Sequence, residues 1–367
     1  MSRMVPHAFE ICAQDTELRS TTIPAEHRPV LAHVLKKSKD ALENLIHDMF
    51  DLKHWESSFT PTQYKAIHPS LQIATHLLEQ QAVLDFFSNV LYADVKVAEN
   101  NTTYLQRNPT CTQPLAHLAV QQVFTDLAHS QNLIWGFHKC SVHNEERAVH
   151  GMAFKSTKRF DDYCSLGRPT IQRFFKDPRI MINKNYLPML EHATGPDLEI
   201  IQLSIASTIL HELVHIVWGF RNGGDLYVTD DGVKWCGEPL YYRTSPQDDM
   251  GTVLEELIFG GVIEPENHKE NVVAHINGGQ VLSYEGWVRS RIIVPRWWIH
   301  MWFTDALYRP GMFEDLHTNG DLVVPLRGEA GFELQWDLEW EMWRLWKRGV
   351  RVGDYFEWKT CDNFLHW

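Results

Sequence analysis

The chain has 367 residues, 44% of them hydrophobic and 22% charged, with a formal net charge of −13. That length can bury a sizeable core, and the composition is that of a globular protein with neither low-complexity segments nor internal repeats. The acidic balance excludes general nucleic-acid binding, which needs a basic footprint.

Met1 to Glu10 carries no apolar signal-peptide core, and no run of eighteen apolar residues follows, so the expectation is a cytoplasmic protein without a membrane partner. Six scattered cysteines without a C-x-x-C pair read as free thiols rather than a disulfide framework.

Taken in chain order, the N-terminal 150 residues predict a mostly helical lobe. Val30, Leu31, Val34, Leu35, Leu42, Leu45, Ile46 and Met49 recur at helical intervals within 28–56. Pro69 is expected to open a second helix and Leu115 to Leu127 to form a third, with Asn100 to Pro114 as a loop between them. His138, Cys140 and His143 make a local cluster of metal-binding residue types, and a polar loop is the simpler reading.

Gly151 to Lys155 and Arg179 to Asn183 are the expected strands, the second close before the next helix. That helix starts at Thr194-Gly195-Pro196-Asp197, with proline near its first position and acids in its first turn. Its apolar coverage is broken by a narrow polar stripe of Ser204, Thr208, His211 and His215, as expected of a buried helix that opens onto a cleft.

His211-Glu212-Leu213-Val214-His215 is an H-E-x-x-H motif: histidines four apart share a helical face and can hold one zinc ion, with Glu212 beside them as general base. A core helix with two hydrogen-bonded histidines is the plain alternative. The extended HExxHxxGxxH pattern fails, since Trp218 and Arg221 stand at its glycine and third histidine.

A third ligand must therefore come from elsewhere. Asp225, Asp230 and Asp231 read as loop residues, and Glu238 before Pro239 is a weak candidate. Gly251 to Gly261 is a short apolar helical run carrying Glu255 and Glu256, with Asp248 and Asp249 placed for its N-terminal end. The two glutamates point about 100° apart, and their apolar companions do not choose between them.

An HExxH helix followed by a separate helix donating a glutamate resembles the gluzincin class of zinc metallopeptidases. Glu238-Pro239 and Gly251-x-x-x-Glu255-x-x-x-Phe259-Gly260-Gly261 are similar to a group of fungal proteins carrying HExxH, and Gly251-Thr252-x-x-Glu255 resembles the GTxxD element of aspzincins with Glu for Asp. The resemblance covers about residues 180–310. It implies a zincin-like core and a zinc site of His211, His215 and Glu255. In that class an edge strand before the metal helix pairs with extended substrate, although an ordinary sheet strand is the simpler reading of Arg179 to Asn183.

Tyr241, Tyr242, Arg243, His275 and Tyr284 are candidates for steadying an oxyanion. Pro295 to Phe303 and Leu334 to Trp346 read as aromatic helices, with Trp336, Trp340 and Trp343 in a stripe.

The expectation is an α+β, helix-dominated fold. It comprises an N-terminal helical lobe (1–150), a metal-binding core (151–310) and an aromatic helical extension (311–367). The expected activity is zinc-dependent peptide hydrolysis, with Glu212 as base and a peptide or small-molecule substrate. A small-molecule enzyme performing non-proteolytic hydrolysis, elimination or cyclisation, and a catalytically silent binding protein, are the alternatives.

Overall fold

The computed structural model describes residues 42–99, 102–107, 114–129, 133–138, 151–154, 178–221, 228–229, 232–233, 238–243, 249–268, 271–283, 286–293, 296–314, 332–337, 342–347 and 350–355. Within them the protein is α+β, and its core is helical.

Residues 42–47 are not helical, and two short 3-10 turns follow at Asp48–Phe50 and Leu52–His54. This corrects the described part of the helix predicted over 28–56. The reason is tertiary: Gln72 donates its amide to the carbonyls of Leu42 and Asn44, and Thr75 accepts the His47 N–H, so side chains of a neighbouring helix satisfy this backbone.

That neighbour, α1 (Pro61–Glu79), begins eight residues before the predicted Pro69 start. Thr60 and Gln63 form a capping box and Pro61 occupies the first turn, whereas Pro69 lies inside the helix. Then come α2 (Gln81–Tyr92), the hairpin β1 (Asp94–Val97) with β2 (Thr103–Gln106), and α3 (Pro114–His129). Strand β2 lies in the stretch expected as loop.

Strands β3 (Ile134–His138), β4 (Gly151–Phe154) and β5 (Arg179–Asn183) form a sheet in the order β3-β5-β4, parallel between β3 and β5 and antiparallel between β5 and β4. Strand β5 is therefore central, an ordinary sheet strand and not a substrate-pairing edge, which explains the burial of Ile180 to Asn183. Among the described strands, β4 stands at the edge.

After α4 (Tyr186–His192) comes α5 (Pro196–Arg221), the spine of the molecule. Gly195, at φ +55°, turns the chain into it. Ile201, Ile205, Ile209, Leu213 and Val217 are fully buried, each contributing about 1.5–3 kcal/mol. By length and composition this helix could cross a membrane, but 89% of that window is buried within the protein, as in a core helix.

Next are the two-residue strands β6 (Val228–Thr229) and β7 (Gly232–Val233), then α6 (Met250–Phe259), which packs along α5 and stops at Gly260 in the left-handed conformation, φ +85°.

Strands β8 (Val262–His268), β9 (Asn271–Ser283), β10 (Gly286–Ile293), β11 (Phe332–Asp337), β12 (Met342–Lys347) and β13 (Val350–Tyr355) form one antiparallel meander. Between β10 and β11 lies α7 (Arg296–Met301), whose Trp298 packs with Trp302 and Phe259.

The predicted helix at Leu334 to Trp346 is thus corrected to two strands. Phe332, Leu334 and Trp336 alternate with Glu333, Gln335 and Asp337, a period of two. The helical spacing of Trp336 and Trp343 is coincidental, since the two are paired across β11 and β12. Trp340 lies outside the described residues.

Candidate metal centre

Helix α5 carries His211, Glu212 and His215 on its polar seam. Ser204 and Thr208, further back on that seam, are satisfied by Tyr186 and by backbone carbonyls. The two imidazoles lie with ring centroids 5.0 Å apart, side by side on one face.

Helix α6 supplies the rest. Its N-cap is Asp249, whose Oδ1 accepts the Thr252 N–H at 2.8 Å. The same oxygen faces both rings, 3.4 Å from His211 Nε2 and 3.8 Å from His215 Nε2. One donor atom from each of the three residues lies within 4.8 Å of the others. Zinc bonds of about 2.1 Å place tetrahedral ligands about 3.4 Å apart, close to the two separations that Asp249 Oδ1 makes, so the group could hold a metal ion.

Glu255, expected as the third ligand, meets the other nitrogen of the His211 ring. Its Oε1 accepts from Nδ1 of His211 at 3.0 Å, the ring nitrogen turned away from Asp249. The reason lies in α6. Gly251 and Glu255 are four apart and share the face turned to His211, and a Cβ at Gly251 would stand 2.5 Å from His211 Cγ. The ring thus lies flush on the helix, one turn before Glu255. Glu256 points aside and is only half-buried.

His215 has a matching partner: its Nδ1 donates to Glu238 Oε1 at 2.6 Å. Both Nδ1 atoms are therefore engaged by carboxylates, leaving both Nε2 atoms facing Asp249. Asp249 was read only as a helix-end acid, and Glu238 only as a weak ligand. The N-cap geometry that turns Asp249 towards the histidines has no signature beyond its place before Gly251.

Four carboxylates, those of Glu212, Glu238, Asp249 and Glu255, surround two imidazoles, and the His211, His215 and Asp249 group could hold a metal ion. Burial opposes charge on His215, yet Glu238, Asp249 and Glu212 outweigh it and raise its pKa to about 9. Burial likewise opposes charge on His211, which Asp249 and Glu255 hold well above its usual range. Burial would raise Asp249, but the two histidines and the Thr252 amide hold it well below the usual carboxylate range.

Glu212 is 4% exposed, and burial pushes its carboxyl up to about 6, a range suited to accepting and returning protons near neutrality. It lies against β4: a Cβ at Gly151 would approach Glu212 Oε1 to 2.7 Å. Of the three donor side chains, Asp249 is the most exposed, at 41% against 17% and 21% for His211 and His215, so the site opens to solvent on its side.

Of the oxyanion candidates, the structure describes the side chains of Tyr241, Tyr242 and Arg243. Tyr241 is buried, stacked on Phe86 at 4.3 Å, while Tyr242 and Arg243 are exposed. His275 is placed only by its backbone, in β9 between Glu264 and Ile293, and Tyr284 lies outside the described residues. In the other cluster of metal-binding types, His138 Nε2 pairs with Glu56 at 2.7 Å, and Cys140 and His143 lie outside the described residues.

The chain matches no known protein family, no characterised protein and no solved structure. Its chemistry must therefore be argued from these side chains alone.

Proposed function

We propose that the protein is a zinc-dependent hydrolase of zincin-like design that cleaves peptide bonds. The observation that carries this reading is the convergence of His211 Nε2, His215 Nε2 and Asp249 Oδ1 beside a buried Glu212. His211, His215 and Asp249 would hold the ion. Bound there, zinc would polarise a carbonyl and bring the pKa of a water towards 7.

The chain's own contributions follow from geometry. Glu212, buried beside the two histidines, takes the proton of the attacking water on its carboxylate and returns it to the departing amine. Strand β4, at the edge of its sheet among the described strands, runs past Glu212 at Gly151. A strand edge offers backbone hydrogen bonds to an extended chain, which favours a peptide over a compact small molecule.

The test is cleavage of quenched fluorescent peptide libraries by zinc-loaded protein and by its Glu212→Gln variant. Wild type is expected to cleave, and the variant to keep its zinc while losing about 10²–10⁴-fold in rate, the share that general acid–base catalysis supplies. Equal activity of the two, or no cleavage of any peptide by zinc-loaded wild type, would overturn the reading.

A further inference from the structure

We propose that Glu238 is a positioning residue that locks His215 in its Nδ1–H tautomer and ties it to the N-terminus of α6. This inference rests on the metal-site reading above. The carboxylate is used twice: Oε1 accepts from His215 Nδ1 at 2.6 Å, and Oε2 accepts from the backbone N–H of Met250 at 3.2 Å. Met250 is the first residue of α6, where backbone N–H groups lack partners within the helix. Asp249, one residue earlier, faces His215 Nε2 from the other side. His215 thus faces the start of α6 with both ring nitrogens: Nε2 looks towards Asp249, and Nδ1 donates to a carboxylate that also accepts the Met250 N–H.

What holds Glu238 there is equally local. Leu240, two residues on, is bridged to β2: its N–H donates to Thr103 O at 2.9 Å, and its carbonyl accepts from Leu105 N–H at 2.8 Å. Pro239 lies between them and narrows the backbone choices of Glu238 to extended conformations. The glutamate is therefore mounted on a strand-like segment rather than on a free loop, so its carboxylate reaches His215 with little ordering still to be done.

An imidazole that donates Nδ1–H to a carboxylate is held in one orientation and is a more basic ligand at Nε2, and removing such a partner typically weakens metal binding 10–100-fold. A glutamine at 238 keeps one acceptor oxygen for two donors, and an alanine keeps none.

The experiment uses the full chain and measures zinc affinity by chelator competition for wild type, Glu238→Gln and Glu238→Ala, with cobalt(II) absorption spectra and the His215 Nδ1–H proton resonance alongside. Glu238→Ala is expected to bind zinc about 10–100-fold more weakly, still to reach the wild-type stoichiometry at saturation, and to keep the cobalt band shape, because the ligands are unchanged. Its far-downfield Nδ1–H signal should be lost from His215 and retained by His211, a selective change that general loosening of the fold would not give. Glu238→Gln should fall between the two in affinity, and it decides the matter if the alanine variant does not fold.

Unaltered affinity in the glutamine variant, or a cobalt spectrum showing a lost ligand, would overturn the proposal while leaving the metal site standing. Wild type that binds no zinc would overturn both.

Discussion

Glu255 and Glu256 are adjacent in sequence and opposite in circumstance. Glu255 is 4% exposed and spends one oxygen on His211, whereas Glu256 is half-buried, its carboxyl raised by burial and by Glu255 beside it. A carboxyl with a raised folded pKa costs stability above its unfolded value, where it must carry charge. Glu256→Gln is therefore expected to leave zinc content unchanged and to raise the melting temperature slightly at pH 7, by less than about 1 kcal/mol of stability given its exposure. Thermal melts at pH 7 check this, and a lower melting temperature would contradict it. From sequence, Glu255 is recognisable as an inward acid only through resemblance. Its contact is with Nδ1 of His211, and spacing along a helix does not fix which ring nitrogen a carboxylate meets.

At the level of elements, the contact between α5 and α6 rests on a missing side chain. Gly251 lets the His211 ring lie on α6, and a methyl there would stand 2.5 Å from Cγ and 2.7 Å from Nδ1. Gly251→Ala should improve local helix propensity by about 1 kcal/mol yet lower zinc affinity, because the ring must shift away from Asp249 and Glu255. Chelator competition and melting of the metal-free protein separate the two effects, and unchanged zinc affinity would contradict the packing described.

The elements themselves were unevenly legible. The start of α5 was readable from Gly195-Pro196 and the end of α6 from Gly260, because caps are local chemistry. The central place of β5 was not, since strand order is decided by pairings between distant segments. The strands β11 and β12 were hidden by tryptophans that happened to match a helical spacing. The capping box at Thr60 and Gln63 is local chemistry of the same kind, whereas Pro69, a residue type that favours a first turn, sits inside the helix.

At the scale of the whole molecule, buried and half-buried histidines outside the metal centre should make the fold acid-sensitive. Burial lowers the pKa of His47, His54 and His76 below 6.5, against nearby acids that would raise them. A histidine depressed in the folded state contributes stability that is complete above about pH 6.5 and lost as pH falls through its folded value. His47 is the clearest case, because its Nδ1 accepts the Met49 N–H and protonation would remove that acceptor. His47→Asn keeps an acceptor without a titration, so its stability should fall less steeply than wild type between about pH 7 and 5, as read by denaturant melts in chelator. Equal slopes would contradict it.

The central claim is that α5 and α6 bring two histidines and Asp249 around one zinc ion. Asp249→Asn isolates it, since asparagine caps a helix as well as aspartate does but lacks the charge. Elemental analysis of purified wild type, Asp249→Asn and Glu255→Gln should find about one zinc per chain in the first, a large loss in the second, and zinc retained at saturation in the third, as expected of a ligand and its orienting neighbour. Zinc absent from wild type, or lost from Glu255→Gln and fully retained by Asp249→Asn, would contradict the account.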